Sequence, residues 1–479
     1  MATQRLAFGE WMPDQPGITG SLIEARNVVP LTAGYGPLAS AAIISDAAAQ
    51  PLNSAFVGRF SGSTTLFAGG ATRLYRYDSS DLSMNDVSKL VMGSPADYGT
   101  TASWDFTQFG NAIIAANGSN KLQVWVSGSS TNFDDLATNA PTAKYVTVVR
   151  DFVVAANETS NPNRVYWSDI NDETDWTPGV NSQSDTQDIP DGGNIQGITG
   201  GEFGLIFLER AVVRMSYIGS PLFFQFDTIS RKLGCYEPNS IVQYGSVSWF
   251  LADDGFYQCD GQSVSPIGVE RIDKFFFNDL DQTKVEQMSA AIDPINKLVI
   301  WCYPNNGETH SLLIYNWQIN RWSRGITSAT SVASLASAGI TLEGLDTFGS
   351  LDDLGISLDS RQWVGGKLVL GGTQGDKLVA FSGASSPAEI RTGDIVLGDQ
   401  NSLMRLARPQ VDNGSASVAV ASRLRLDGTI SYGPNVPASS ENRVSLRSVG
   451  RYHRLKVIPS GNWRHAVGVD YDIEPVGVR

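Results

Sequence analysis

Seven times along this chain a short apolar strand pattern is followed by a turn and a second strand pattern. The segments are TTLFAGGATRLYRYD (64–78), NAIIAANGSNKLQVW (111–125), DFVVAANETSNPNRVYW (151–167), FGLIFLERAVVRMSY (203–217), VSWFLADDGFYQCDG (247–261), KLVIWCYPNNGETHSLLIYN (297–316) and KLVLGGTQGDKLVAFSG (367–383). Each reads as a β-hairpin, two runs of strand-favouring residues around a polar turn. With Leu66, Ile113, Val153, Leu205, Trp249 and Leu298 as equivalent positions, the spacings are 47, 40, 52, 44 and 49 residues. A period of ~40–50 residues is that of a propeller blade. Runs such as Ile206, Phe207, Leu208 and Leu298, Val299, Ile300, Trp301 are apolar without alternation, which predicts strands covered on both faces, as in a blade between two neighbours. Flanking strand patterns at 55–60, 145–150, 288–292 and 321–325 fill out a four-stranded blade. A stack of β-sandwiches with coincidental spacing is the competing architecture.

The interval from Leu298 to Leu368 is 70 residues and contains TLEGLDTFGSLDDLGISLDS (341–360), read as an inserted arm between blades. After Ser385 the pattern becomes alternation, with Val418, Val420, Leu424 and Leu426 on one face and Arg423 and Arg425 on the other. In the last strand Trp463, His465, Val467, Val469, Tyr471 and Ile473 point one way, and Arg464, Asp470, Asp472 and Glu474 the other. The expected fold is therefore all-β: an N-terminal arm over 1–50, a β-propeller of about seven blades over 51–385, and a C-terminal β-sandwich over 386–479. The 48 Gly and 21 Pro among 479 residues suit short strands joined by turns.

Charge is unevenly placed. Residues 401–479 carry 11 Arg or Lys against 6 Asp or Glu, a balance of +5, which leaves −19 for residues 1–400 out of the total of −14. An acidic body disfavours tight nucleic-acid binding, since affinity for phosphates comes from neutralising cations. It is compatible with DNA passing by without sticking. No run of about 18 apolar residues occurs, and the first residues contain no apolar signal segment. These features predict a soluble protein made in the cytoplasm, with no membrane insertion. Cys235, Cys259 and Cys302 are scattered and odd in number, and read as small core residues.

Candidate chemistry is thin. In DINDETD (169–175), Asp169, Asn171, Glu173 and Asp175 alternate like the start of a calcium loop, but Thr174 stands where that loop needs Gly and Val180 where it needs Glu. The segment is better read as a polar turn whose Asp side chains cap backbone amides. His310 is placed in a polar turn, His465 lies on the apolar face of the last strand and reads as a hydrogen-bonded core histidine rather than a ligand, and neither they nor His453 have metal-ligand spacing. Asp253-Asp254-Gly255 reads as a hairpin turn rather than an acid pair for sugar hydrolysis. No residue is assigned a catalytic, cofactor-binding or metal-binding role, no cofactor is expected, and the chain is expected not to be an enzyme.

EARNVVPLTAGYGPL (24–38), RVYWSDINDETDWTPG (164–179) and GRYHRLKVIPSGNWRHAVGVDYDIEPVGVR (450–479) resemble, respectively, the opening element, a blade and the closing segment of the tail hub or nozzle proteins of short-tailed bacteriophages, also described as packaged-DNA stabilisation proteins. The likeness is one of order and pattern across nearly the whole chain. It implies a structural virion protein of the tail, assembled in the host cytoplasm. It also implies a hexameric ring attached below portal and adaptor (head-to-tail connector) rings, with fibres or spikes outside and DNA passing along the axis. A carbohydrate-binding or carbohydrate-active β-propeller is the alternative function, although the Ser-x-Asp-x-Gly-x-x-Trp boxes of sialidase propellers are missing. A protein-interaction propeller of WD40 type is disfavoured because no Gly-His to Trp-Asp spacing recurs.

The 341–360 insertion interleaves Leu342, Leu345, Leu351, Leu354 and Leu358 with Glu343, Asp346, Asp352, Asp353 and Asp359. A partner surface would cover those leucines. Deleting 341–360 is expected to leave a folded chain that fails to join a tail; loss of the cooperative thermal melt would refute this.

Overall fold

The computed structural model describes residues 4–60, 63–101, 103–307, 310–336 and 368–476; the 341–360 insertion lies outside them. Each of the seven hairpins read from the sequence forms the middle pair of a four-stranded antiparallel blade; six blades are separate sheets and the blade 6 strands open a larger one. Blade 1 is Leu52–Phe60, Ser63–Gly70, Leu74–Tyr77 and Met84–Asp86, and blade 2 is Asp105–Phe109, Ala112–Ala116, Gln123–Val126 and Asp134–Asp135. Blades 3, 4 and 5 begin with Ala143–Val149, Ile195–Thr199 and Val242–Tyr244. Blade 6 is Ser289–Asp293, Leu298–Pro304, His310–Asn316 and Arg321–Thr327. Blade 7 takes three strands from the end of the repeat region, Ser331–Ala336, Leu368–Gln374 and Lys377–Ser385, and its fourth from the N-terminal arm, Ala39–Ile43.

The unbroken apolar runs sit where two blades press together. Every residue of Ala112–Ala116, Gly204–Leu208 and Leu298–Pro304 is buried. The core is divided into clusters between successive blades. Phe67, Trp104, Ile113 and Trp125 join blades 1 and 2; Leu205, Phe207, Phe250 and Cys259 join blades 4 and 5; Leu52, Leu66, Leu335 and Leu378 join blade 7 to blade 1 and close the circle. All three cysteines are free and buried, in keeping with their reading as core residues.

Beyond the outer edge of blade 6 the sheet continues through Glu24–Arg26, Glu389–Arg391, Tyr452–Ser460, Ser415–Arg423 and Val436–Pro437, ten strands counted with Ile395–Val396. A six-stranded sheet faces it, made of Gln4–Ala7, Val28–Leu31, Gly34–Pro37, His465–Pro475, Ser402–Asp412 and Val444–Gly450. The arm is thus woven into both layers of the sandwich. One core runs from Trp301 and Trp322 of blade 6, through Trp11 and Tyr35 of the arm, to Met404, Val457 and Val469 of the sandwich. Gly34 turns the arm hairpin at φ 89°, and a Cβ there would lie 2.1 Å from the Ala466 carbonyl oxygen; any side chain would push the arm off the last strand.

Two strand faces differ from the sequence reading. The strand starting at Ser415 ends at Arg423, so Leu424 and Leu426 lie beyond it, exposed. In the last strand the register slips between Gln410 and Val411, whose partners are Gly468 and Ala466. Val467 is the extra residue of this bulge and turns to solvent, while Ala466 is buried. The apolar face expected from Trp463 to Ile473 therefore holds for Val469 and Tyr471 and is broken at His465 and Val467.

Val469 is fully buried at the centre of the sandwich, whereas Asp470 accepts two hydrogen bonds from the exposed Arg5 guanidinium, at 2.8 and 3.1 Å. Val469→Asp places an unpaired carboxylate in an apolar core and is expected to abolish the folding transition of residues 386–476. Asp470→Val removes the partner of the exposed Arg5 and of Gln410 on the polar face and should be mild for folding. Urea melts of both variants check the contrast; equal effects would show the face to be wrong.

Candidate functional site: the central cavity

The first strands of the seven blades stand side by side around the propeller axis and enclose a cavity of about 1180 Å³. Polar side chains stitch each strand to the next. Asp105 Oδ2 accepts from the Val146 amide at 2.8 Å, and Gln108 Nε2 donates to the Arg59 carbonyl at 2.6 Å while its Oε1 accepts from the Arg59 amide at 2.9 Å. Gln243 bonds both the carbonyl and the amide of Gly200, at 2.6 and 3.2 Å. Ser334 Oγ donates to the Ile292 carbonyl and accepts from its amide, each at 2.8 Å. Blades 3 and 4 approach most tightly at Gly200, where a Cβ would lie 2.0 Å from the Val148 carbonyl oxygen.

The cavity lining mixes apolar and polar residues and is weakly acidic, with Asp105, Glu237 and Glu286 against Lys144 and His310. Protein surrounds Asp105 on every side although its side chain still meets the cavity, and this loss of water pushes its carboxyl up to about 7 against the pull of the Val146 and Phe106 amides. Burial likewise raises Glu237 to about 7, opposed by the Asn239 amide and Lys144. Burial also raises the Tyr145 phenol, with the charges of Asp105 and Glu237 nearby.

The residues singled out in the sequence fall in separate places. In the 169–175 turn, Asp172 Oδ1 accepts from the Thr174 amide at 2.9 Å, Asp175 Oδ1 from the Thr177 amide at 2.9 Å, and Asp169 Oδ1 from the Gln183 amide at 2.7 Å. The carboxylates are turned to backbone amides, as a polar turn requires. Asp253 and Asp254 form the two-residue turn between Val247–Ala252 and Gly255–Cys259, with Ala252 opposite Gly255. His310 opens a blade 6 strand at the cavity rim, paired with Pro304 and Thr327, rather than lying in the preceding turn. Burial, with Lys284 nearby, lowers its pKa.

The hydrogen-bonded core histidine is His453, not His465. His453 is fully buried, with Nε2 2.9 Å from Ser402 Oγ and Nδ1 2.7 Å from Ser422 Oγ, and burial lowers its pKa. Ser402 beside an imidazole has the contact of a nucleophile and base, but both are sealed inside the sandwich away from any substrate. The alternation of His453, Leu455, Val457 and Pro459 along one buried face carried the signal for this residue. Among the described residues, no group of three or more His, Cys, Asp or Glu side chains is placed to hold a metal ion, and no helix is long and apolar enough to cross a membrane.

Architecturally, the chain is a seven-bladed β-propeller joined to a β-sandwich. No protein-family model matches the sequence, and no curated protein matches it. Solved structures that resemble it include the extracellular domain of the putative hybrid two component system BT4673 from B. thetaiotaomicron, at 13% identity and a TM-score of 0.42. The alignment covers 79% of this chain and 44% of that one, so the chain spans less than half of that protein's length. Others are U3-55K, at 11% identity, TM-score 0.42 and coverage of 72% and 99%, and the RRP9 WD40 repeats, at 11%, 0.41 and coverage of 72% and 98%.

The raised carboxyls give a pH signature. The folded chain holds the Asp105 and Glu237 protons up to about 7, whereas unfolded carboxyls release theirs near ~4. Their contribution to stability is complete below about pH 4 and is lost as the pH rises towards 7. Asp105→Asn keeps an acceptor for the Val146 amide without a charge to bury. It should raise the melting temperature by a few degrees at pH 8 and change it little at pH 4; an equal shift at both values would contradict the assignment.

Proposed function

We propose that this chain is a structural subunit of the tail hub or nozzle of a short-tailed bacteriophage. It would form a ring of six identical copies beneath the connector and give a surface for fibres or spikes. The observation that carries the reading is where the segments bearing the resemblance lie. Residues of 24–38 and 450–479, the opening and closing elements, pair in one sandwich: Tyr35 lies opposite Ala466, and Glu24–Arg26 bonds the strand that in turn pairs with Tyr452–Ser460. That sandwich is spliced to blade 6, so the two ends of the likeness form one unit with the propeller. The conduit in this reading runs along the axis between copies. The acidic balance of residues 1–400 suits a passage that does not grip phosphate.

The second reading, a carbohydrate-binding propeller, draws on the central cavity and on the exposed ring of Tyr236 that lines it. Negative-stain images of the purified full chain separate the two. Closed rings are expected for a hub, and isolated discs that retain glycans would favour the alternative. The hub reading also predicts no stable complex with duplex DNA at physiological salt, and a gel shift with sub-micromolar affinity would count against a passive conduit.

A further inference from the structure

Two apolar patches stand out from the described surface, in different parts of the molecule. The first is a two-stranded hairpin, Leu90–Val91 against Ser94–Pro95, in the connection from the outer strand of blade 1 to the inner strand of blade 2. Its turn residues Met92 and Gly93 have φ 53° and 85°, the left-handed pair of a tight hairpin. Met92 is fully exposed at 103% relative area, and Leu90 and Val91 are exposed beside it. Such a hairpin contributes little stability by itself, and three adjacent apolar side chains at its tip mark a contact site.

The second patch is one end of the sandwich. The Arg451 amide donates to the Arg423 carbonyl at 3.0 Å, and Tyr452 pairs with both Arg423 and Val396. Val396 lies at this corner, Leu424 and Leu426 follow Arg423, and Val449 precedes Arg451 by two residues; all four are exposed. The buried Asp394 carboxylate fixes the corner, accepting from Arg423 at 2.7 Å and from Arg454 at 2.7 and 3.0 Å.

The surroundings of the two patches are opposite in charge. Beside the hairpin lie the exposed Asp97, Asp134 and Asp135, with Arg73 paired to Asp97 at 2.7 Å and Lys89 held between Asp134 and Asp135 at 3.0 and 2.8 Å. Around the sandwich corner stand Arg425, Arg447 and Arg451, of which Arg451 is paired with the exposed Asp399 at 2.7 Å, and Asp427 is the other acid there. The hairpin belongs to the edge between blades 1 and 2, and the sandwich extends from the edge of blade 6, so the patches cannot meet within one chain.

We infer that the Leu90–Pro95 hairpin of one copy seats on the Leu424, Leu426 and Val449 end of the sandwich of a second copy, with the aspartates of the first facing the arginines of the second. Two complementary but non-coincident patches make a head-to-tail contact, which repeats into a ring or a filament rather than stopping at a two-fold dimer. The inference rests on the reading of the chain as a ring-forming hub and names the surfaces that build the ring.

The test is solution mass by light scattering on the full chain, with a cross-mixing step. Wild type is expected to form a higher oligomer that weakens with added salt. Met92→Asp and Leu424→Asp, both at exposed positions, are each expected to be monomeric with wild-type thermal melts. Their one-to-one mixture should give a dimer and nothing larger, because one intact hairpin and one intact corner remain. Arg425→Glu should weaken assembly about tenfold or more without touching an apolar side chain. Oligomers that persist in both single variants, or a mixture that stays monomeric, would overturn the interface while leaving the hub reading in place. A wild type that stays monomeric at all concentrations would overturn both.

Discussion

The structure depends on the N-terminal arm being shared between two sheets that the rest of the chain leaves incomplete. Glu24–Arg26 fills the gap between the outer strand of blade 6 and Glu389–Arg391, and Ala39–Ile43 supplies the last strand of blade 7. The splice is charged and largely buried. Glu24 takes a two-pronged pair of 2.7 Å bonds from Arg324 of blade 6, and Arg26 reaches Glu389 at 2.8 Å. Buried pairs of this kind stabilise little by comparison with apolar packing, but losing one partner leaves an uncompensated charge. They therefore act mainly to fix which strand enters the gap. Because the arm's partners are some 300 residues away in sequence, circle and sandwich form together, with the closure entropy of a long loop set against both at once.

That arrangement also explains which parts of the fold were legible in the sequence. The middle hairpins were readable because strands covered on both faces must be apolar throughout, a signal that survives variable loops. The outer strands were not: Asp134–Asp135 and Asp185–Asp188 are short and polar because one side of an outer strand meets water. The arm looked like irregular chain since its strands alternate with Pro and Gly and find their partners only at long range. Alternation misread the last strand at one point. A bulge at Val467 flips the faces, and bulges leave no mark in a two-residue period. His453 sits in the regular alternation of Tyr452–Ser460, away from the bulge, so its inward face was legible in the sequence pattern.

Polar residues on the innermost strands carry a second task that composition does not reveal. Gln108, Gln243, Ser289 and Ser334 bond the backbone of the neighbouring blade, and Thr199 and Ser248 meet across blades at 3.2 Å. Among the described residues neighbouring blades share at most an isolated bridge, as at Val149 and Gly201, so apolar packing between them leaves sliding along the strands weakly opposed. Directional bonds from side chain to backbone fix that register. Asp105 does the same work at a cost, since a carboxylate with little access to water must either lose part of its charge or hold it unfavourably.

These bonds bear on function through what they leave free. An inner-strand amide or hydroxyl already bonded to the next blade has fewer donors and acceptors to offer a ligand, so recognition shifts towards the outer connections and the sandwich, where polar groups are not needed for closure. The charge pattern follows the same division. Carboxylates lie in the turns and outer strands of the propeller, as at 134–135 and 185–188, while the sandwich holds the excess of arginines, some tied down by Asp394 and others exposed at its corner. Had both signs been mixed evenly, copies of this chain would attract one another in many orientations with similar energy. Segregating them onto two units fixed by a shared core makes one orientation electrostatically preferred, and that is a requirement for any assembly whose repeat must close.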